Sequence, residues 1–413
     1  MRGRGTADVA EIVDRGLVAR ASANDATRGP GARTGRGAAP GIVPLTGVSI
    51  DAWQALSARA IEPNGYYLPE WELAVNASAP GRTGAAALCA WRDAADASAL
   101  TGLLPVIPLW RACKIPLPAL VSAHPYGTLC TPPIDRGAVE DAVAGLIEHA
   151  RRAGAHALLL REVSLDGPVM TAFGDVLRRD GLRPHVLQSH QRACLDATYE
   201  PEELLREALG AKKLRELRRL RHRLAEHGAV TFDVARSREQ VVAALETFLA
   251  LEAGGWKGRR GTALTQSEGD GSFIRRATAA LAKTGQCEII TLRAGASPVA
   301  SGIVLRHQDR AFFFKIGVDE RFAKFSPGVQ LTLELTRHLC SDPTITSADS
   351  TAAPDHPMIN PIWRGRFAIG DALIPLRRRD PVVALIHAAL AARLAALDLA
   401  RSAFRAVRRR RAS

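Results

Sequence analysis

The pattern that most restricts what this chain can fold into is a repeat of element order. A strand pattern near Ile42 is followed by helix patterns at 51–59 and 69–78, the strands "AAALCAW" and "GLLPVIPLW", and a Pro-rich region ending in "YGTLC". A helix at 137–153, the strand "HALLLRE", a helix at 168–180 and the strand "HVLQSHQRACLD" complete the first half. In the second half "AVTFDV" reads as a strand, 237–253 and 272–284 as helices, and "CEIITLRA", "PVASGIVLR" and "AFFFKIGV" as three consecutive strands,. A helix at 328–341, the strand "TITSAD", a helical turn near Trp363 and the strand "FAIGDALIP" follow. Both halves read β-α-α-β-β-β-α-β-α-β, which predicts a duplicated α/β fold with mixed central sheets.

At 413 residues the chain has room for two such units and tails,. Residues 1–40, with "RGPGARTGRGAAPG", carry no hydrophobic period and predict a disordered tail,. The two units are assigned to 41–200 and 201–378. Residues 379–413 predict a basic amphipathic helix that starts after Pro381 and closes on a cluster of arginines,. Such a helix docks on the body or lies on an anionic membrane.

The chain holds 55 Lys+Arg against 42 Asp+Glu, a formal charge of +13. Nucleic acid, an anionic membrane and a phosphate-bearing cofactor are all compatible partners, while arginine usage in an Ala/Arg/Gly-rich chain accounts for the excess equally well. Six cysteines without CxxC spacing or paired histidines indicate neither a zinc site nor a disulfide framework, so no metal is expected,. No uninterrupted apolar run approaches the length of a membrane span, which predicts a soluble, cytoplasmic protein.

Four stretches carry chemistry. In "LRELRRLRHRLAEHG", Leu214, Leu217, Leu220 and Leu224 share one helical face and Lys212, Lys213, Arg215, Arg218, Arg219, Arg221 and Arg223 cover the rest,. This is a solvated helix face or a phosphate-binding one. In "FFFKIGVDERFAKFSPGVQLTLEL", a strand bends through Asp319, Glu320 and Arg321 into a helix for which Ser326 is the expected N-cap and Pro327 the first residue,. The free N–H groups of Gly328, Val329 and Gln330 at the positive end of the helix dipole form an anion-binding geometry, with Lys324 and Arg321 adding charge; the alternative is an ordinary capped helix. "LEAGGWKGRRGTAL" predicts a long basic loop in which Trp256 packs on the core or on a substrate,. "SADSTAAPDHPMINPIWRGRF" places Asp349, Asp355 and His356 beyond a strand end, as acid–base groups or as structural hydrogen-bonding partners,.

Together and in their order along the chain, these stretches resemble the GNAT-type acetyltransferases of the CelD-like, cellulose-biosynthesis-associated family, related in fold to the Fem-type peptidyltransferases. "HPMINPIW" belongs to the set, and "HPYGTLCTPPIDR" of the first half echoes it weakly. The resemblance covers roughly 45–376 and implies tandem GNAT-like folds with the acyl-CoA site in the second. It implies that the backbone of Ile316, Gly317 and Val318 pairs with the pantetheine arm, and that Ser326 to Gln330 cradle the pyrophosphate. Two departures stand out. One glycine, Gly328, preceded by Pro327, replaces the usual R/Q-x-x-G-x-G/A loop, and Gly317-Val318-Asp319-Glu320 replaces the more usual Ala-Tyr-Asp-Glu, which removes a tyrosine hydroxyl.

The expectation is an acyl-CoA-dependent N- or O-acyltransferase, using acetyl-CoA or another acyl-CoA, in polysaccharide or cell-envelope biosynthesis. The acceptor attacks the thioester directly. Asp319, Glu320, Asp349 and His356 are the candidate catalytic groups, and Trp256, Lys257, Arg259 and Trp363 the acceptor-side walls. The acceptor is a small molecule, a sugar or a lipid-linked group; peripheral contact with an anionic membrane through the C-terminal helix is allowed for, and no specific nucleic-acid binding is expected. A Fem-like transfer from aminoacyl-tRNA and a catalytically silent GNAT-like binding module are the alternatives.

Overall fold

The computed structural model describes residues 41–92 and 99–410, so the expected N-terminal tail lies outside the described residues. The strands are β1 Ile42–Pro44, β2 Ala86–Trp91, β3 Leu100–Pro108, β4 Ala119–Ser122, β5 Ala157–Ser164 and β6 His185–Asp196 in the first half. In the second they are β7 Val230–Ala235, β8 Cys287–Ala294, β9 Ser297–His307, β10 Arg310–Val318, β11 Ser347–Asp349 and β12 Gly365–Pro375. The helices are α1 Ile50–Ala58, α2 Pro69–Ser78, α3 Leu109–Cys113, α4 Val139–Arg152, α5 Pro168–Arg179 and α6 Pro201–Ala225. They continue as α7 Arg238–Gly254, α8 Trp256–Arg259, α9 Glu268–Lys283, α10 Pro327–Cys340 and α11 Pro381–Arg410.

The local signals act as the sequence implies. Proline opens α2, α5, α6 and α10, where its missing N–H costs nothing, and Ser237 with Gln240 builds a full capping box at α7,. Two segments depart from expectation. The Pro-rich region contains β4, and the expected helical turn near Trp363 is a string of turns over 354–362.

Among the described residues, all twelve strands form one sheet in the order β1-β2-β3-β4-β5-β12-β6-β11-β10-β9-β8-β7. Exchanging β1–β6 for β7–β12 gives the same order read backwards. The duplication is therefore built around the antiparallel β6–β12 pair, and each half places its last strand inside the other. Because β6 and β12 run antiparallel, the pseudo-twofold axis is normal to the sheet, so equivalent helices share a face. Helices α1, α2, α7 and α9 cover one face, where Trp71 of α2 meets Phe273 of α9; α4, α5, α6 and α10 cover the other. The only parallel pairs among the described strands, β4–β5 and β10–β11, are equivalent in the two halves.

Helix α11 qualifies the expectation that no uninterrupted apolar run nears the length of a membrane span. Its residues Pro381–Ala400 have mean hydropathy 1.8 and are long and apolar enough to cross a bilayer by length and composition, with 17% of the stretch buried. Single charges at Arg393 and Asp398 interrupt the run, but the alanines and leucines around them outweigh both.

Candidate functional site

The site is made by a split in the sheet. Strands β10 and β11 pair in parallel only through Arg310–Phe312 against Ser347–Asp349. Beyond Phe312 a bulge between Phe313 and Lys315 in the β10–β9 ladder bends β10 away from its parallel neighbour,. The Asp319 N–H donates to the Val299 carbonyl of β9 at 3.0 Å. By alternation Gly317 and Lys315 also bond toward β9, whereas Ile316 and Val318 turn their N–H and C=O groups into the split.

Side chains from the two walls satisfy part of this open edge. The Lys257 ammonium donates to the Ile316 carbonyl at 3.0 Å, and the Thr351 hydroxyl donates to the Phe313 carbonyl at 2.6 Å. A cavity of about 140 Å³ lies between them, lined by Lys257, Phe314, Lys315, Thr351, His356 and Met358 among others.

Charge in the cavity is organised by Glu252 at the end of α7. Its buried carboxylate takes the Leu264 N–H at 2.9 Å on one oxygen, while the other lies 3.3 Å from Lys257 Nζ and 3.4 Å from Lys315 Nζ. Two ammonium groups share one carboxylate, so the pocket is net positive. Burial pulls Lys257 below the usual lysine value, with Glu252 opposing and Lys315 adding to the shift,. Burial, and then the Lys257 charge, hold His356 below the ordinary histidine value, so its imidazole is neutral at pH 7,.

The first half reaches into this site through "HPYG". Tyr126 donates its hydroxyl to Asp270 at 2.9 Å, and its ring lies 5.8 Å from Lys315 Nζ. Sequence reasoning missed Glu252, Lys315, Thr351, Met358 and Tyr126 as site residues. Only Lys315, a lone charge inside "FFFKIGV", carried a readable signal.

Of the expected catalytic groups, the structure places His356 in the cavity and sets the other three elsewhere. Asp349 is buried against Arg192 at 3.1 Å, and Thr351 N–H donates to its second oxygen, so it is a structural ion pair. Asp319 accepts the Arg321 N–H and pairs with the Arg321 guanidinium, whose hydrogen bond holds it below the usual carboxylate range. Glu320 accepts the Trp256 N–H at 2.7 Å and pairs with Arg259 at 2.7 Å, strapping α8 to the end of β10. These two carboxylates face a separate open cleft that Arg259 also lines.

The wall residues divide similarly. Lys257 is in the cavity. Trp363 is buried in the core with its indole N–H donating to Thr336 at 2.9 Å, which leaves it no face toward a ligand. The stretch expected as a loop around Trp256 contains the short helix α8, and Trp256 is 50% exposed with Arg260 over its ring rather than packed inside. Gly258 makes that sharp turn possible, since a Cβ there would fall 1.8 Å from the Ala253 carbonyl oxygen,.

At the head of α10 three expectations are corrected. Ser326 adopts a left-handed conformation (φ 53°) and its side chain caps nothing. The Gln330 N–H is taken by the Ser326 carbonyl at 3.0 Å and its side chain donates to the Leu217 carbonyl, which leaves the Gly328 and Val329 amides at the open end of the helix,. Gly328 is buried under Met358, whose sulfur would lie 3.0 Å from an added Cβ. Lys324 is exposed beside this helix end, its ammonium 4.8 Å from the Phe325 ring. Gly317, expected to face the ligand, bonds toward β9 instead. Its bare face admits α7, with Glu252 N 3.0 Å from where a Cβ would stand. Among the described residues, no group of three or more His, Cys, Asp or Glu side chains is placed to hold a metal ion.

Comparison with known proteins agrees with this architecture. The family described as acetyltransferase (GNAT) domain matches residues 211–356, which contain the split, its bulge and His356. FemX is similar over 82% of this chain and 98% of its own, at 12% identity and TM-score 0.54. The C-terminal domain of an Agrobacterium fabrum protein assigned as a lysylphosphatidylglycerol synthetase is similar over 82% of this chain and 94% of that one, at 15% identity and TM-score 0.51. A Bacteroides thetaiotaomicron protein of unknown function is similar over 79% and 98%, at 12% identity and TM-score 0.50. No curated protein sequence matches the chain. The fold is thus α/β with two GNAT-like halves in tandem, joined through one mixed sheet.

Proposed function

We propose that the protein transfers an acyl group from acyl-CoA to an amine or hydroxyl at the split between β10 and β11. The observation that carries this reading is the unpaired edge of β10, along which Ile316 lines a cavity that also holds a neutral His356 and two lysines. An extended pantetheine arm has the amide groups to complete that edge as a strand would. In the reaction the acceptor nitrogen or oxygen bonds to the acyl carbon, the carbon–sulfur bond breaks, and the acceptor proton passes to His356 while the thiolate leaves. The β10 amides and the net positive pocket stabilise charge developing on the carbonyl oxygen. Acetyl is the acyl group expected first, and the Lys257–Lys315 charge favours an acceptor bearing an anionic or sugar-phosphate group.

The fit to CoA is good along the arm and restricted at the diphosphate. There Met358 packs against Gly328 at the head of α10, and a diphosphate approaching that glycine would displace it, a cheap motion for an unbranched side chain,.

A second reading, transfer from aminoacyl-tRNA with cleavage of the carbon–oxygen ester bond, is favoured by that restriction and by α6. The helix exposes Lys212, Lys213, Arg215 and Arg219 beside an open groove. Titration calorimetry with acetyl-CoA, paired with hydrogen exchange over 312–335, separates the two. Heat release with protection of that segment supports the first. Absence of both, with acyl transfer from charged tRNA that needs no CoA and weakens steeply with salt, establishes the second.

A further inference from the structure

The only described helix with span-like composition is also largely uncovered, with 17% of that stretch buried. Helix α11 docks through Ile386 and Leu390, with Val382 beside them, which pack with Leu109 and Val121 of the first half and Leu373 of β12. Past Leu390 the helix leaves this surface, and every described residue from Ala395 to Ala400 is exposed. Its outward face runs through Leu385, Ala388, Ala392, Ala395 and Leu399, spaced three and four apart, and carries no charge,. Leu385 is 55% and Leu399 72% exposed. In a chain with 23% charged residues, an outward helix face without any is a departure that folding alone does not require,.

The flanks carry the complementary signal. Exposed Arg377, Arg378 and Arg379 precede the helix, and the sequence closes on Arg408 to Arg411. We propose that α11 lies in the plane of an anionic lipid bilayer, with its outward leucines and alanines entering the interface, the exposed Arg377–Arg379 cluster meeting lipid phosphates and the arginine-rich sequence at the other end adding to the attraction. A crossing orientation would pull Ile386 and Leu390 out of their core. Pairing with a second copy would bring like-charged clusters together on a chain of net charge +13, whereas anionic lipid neutralises them,. The inference stands on this helix alone and is independent of the acyl donor.

The test is co-sedimentation of the full chain with vesicles of phosphatidylcholine containing about one third phosphatidylglycerol, against phosphatidylcholine alone. The expected result is binding to the anionic vesicles that weakens with added salt and falls at least about tenfold in the double variant Leu385→Glu, Leu399→Glu. An unchanged melting temperature and an unchanged far-ultraviolet circular dichroism spectrum show that the variant is folded. Equal partition of the variant and the original chain overturns the proposal. So does retention on the membrane after alkaline carbonate, the mark of a span. A dimer in sedimentation velocity that the double variant dissolves, with no vesicle binding, assigns the face to a second copy and overturns it as well.

Discussion

At the residue scale, the site turns on how Lys257 conditions its neighbours. Because burial and Lys257 both disfavour the imidazolium, His356 remains a neutral base to lower pH than an ordinary histidine,. The acid limb of kcat/KM should therefore fall below the ordinary value of about 6.5. Lys257→Met removes one of the two depressing causes, so the limb should move upward, and an unmoved limb would mean that His356 is not the group titrating. The two glycines of the opening motif make opposite predictions. A methyl at Gly317 meets backbone and Leu251 at 3.0–3.2 Å, whereas one at Gly328 is tight only against the Met358 sulfur at 3.0 Å, with Ile316 and Val318 at ordinary contact distance. Gly317→Ala should cost about 1–3 kcal/mol in urea unfolding and Gly328→Ala less than about 1. Comparable losses would show that Met358 cannot move, which would also argue against a diphosphate at that helix end.

At the element scale, the exchanged strands depend on one buried ion pair. Arg192 of β6 meets Asp349 of β11 at 3.1 Å and donates to the Thr128 carbonyl at 2.6 Å, with both side chains almost fully buried. Arg192→Met leaves a carboxylate buried without its partner and should cost about 3–5 kcal/mol, and adding Asp349→Leu should recover most of the loss. If the double variant is no more stable than the single one, the guanidinium contributes through packing rather than charge. This pair also marks where the sequence stops being informative. The order of elements was legible because hydrophobic period and Pro/Gly punctuation are local, and so was the strand–turn–helix of 312–335. Strand exchange was not, since β6 and β12 each read as ordinary last strands whichever half they join. Asp349 likewise looked like a free acid because its partner lies 157 residues away. Glu252 and Tyr126 escaped for the same reason, each becoming part of the site only when α7 and the first half are brought against β10.

At the scale of the whole molecule, the two halves are also pinned by a histidine that must stay neutral. His307 of β9 accepts the Asn64 N–H on Nδ1 at 2.9 Å, so its proton sits on Nε2, which lies 2.9 Å from the Ser57 carbonyl. Both first-half partners are satisfied by the neutral ring, and a second proton would turn Nδ1–H against N–H. Burial lowers its pKa to about 4. In the unfolded chain it titrates near about 6.5, so above that pH the group costs nothing. As pH falls from there toward about 4, the unfolded chain takes up a proton that the folded one refuses, and stability drops by about 1.4 kcal/mol per pH unit. The total is on the order of 3 kcal/mol, complete only below the folded value. His124 is lowered to about 4 by burial and by Arg82 and Arg161, and steepens the same window. The informative comparison is therefore between the original chain and His307→Gln, which offers an acceptor and a donor without titrating. Urea midpoints for the two should converge as pH falls from about 7 to about 4.5, the variant being weaker at neutral pH and losing less on acidification. Parallel decline of the two midpoints would show that the junction between the halves is not where acid acts.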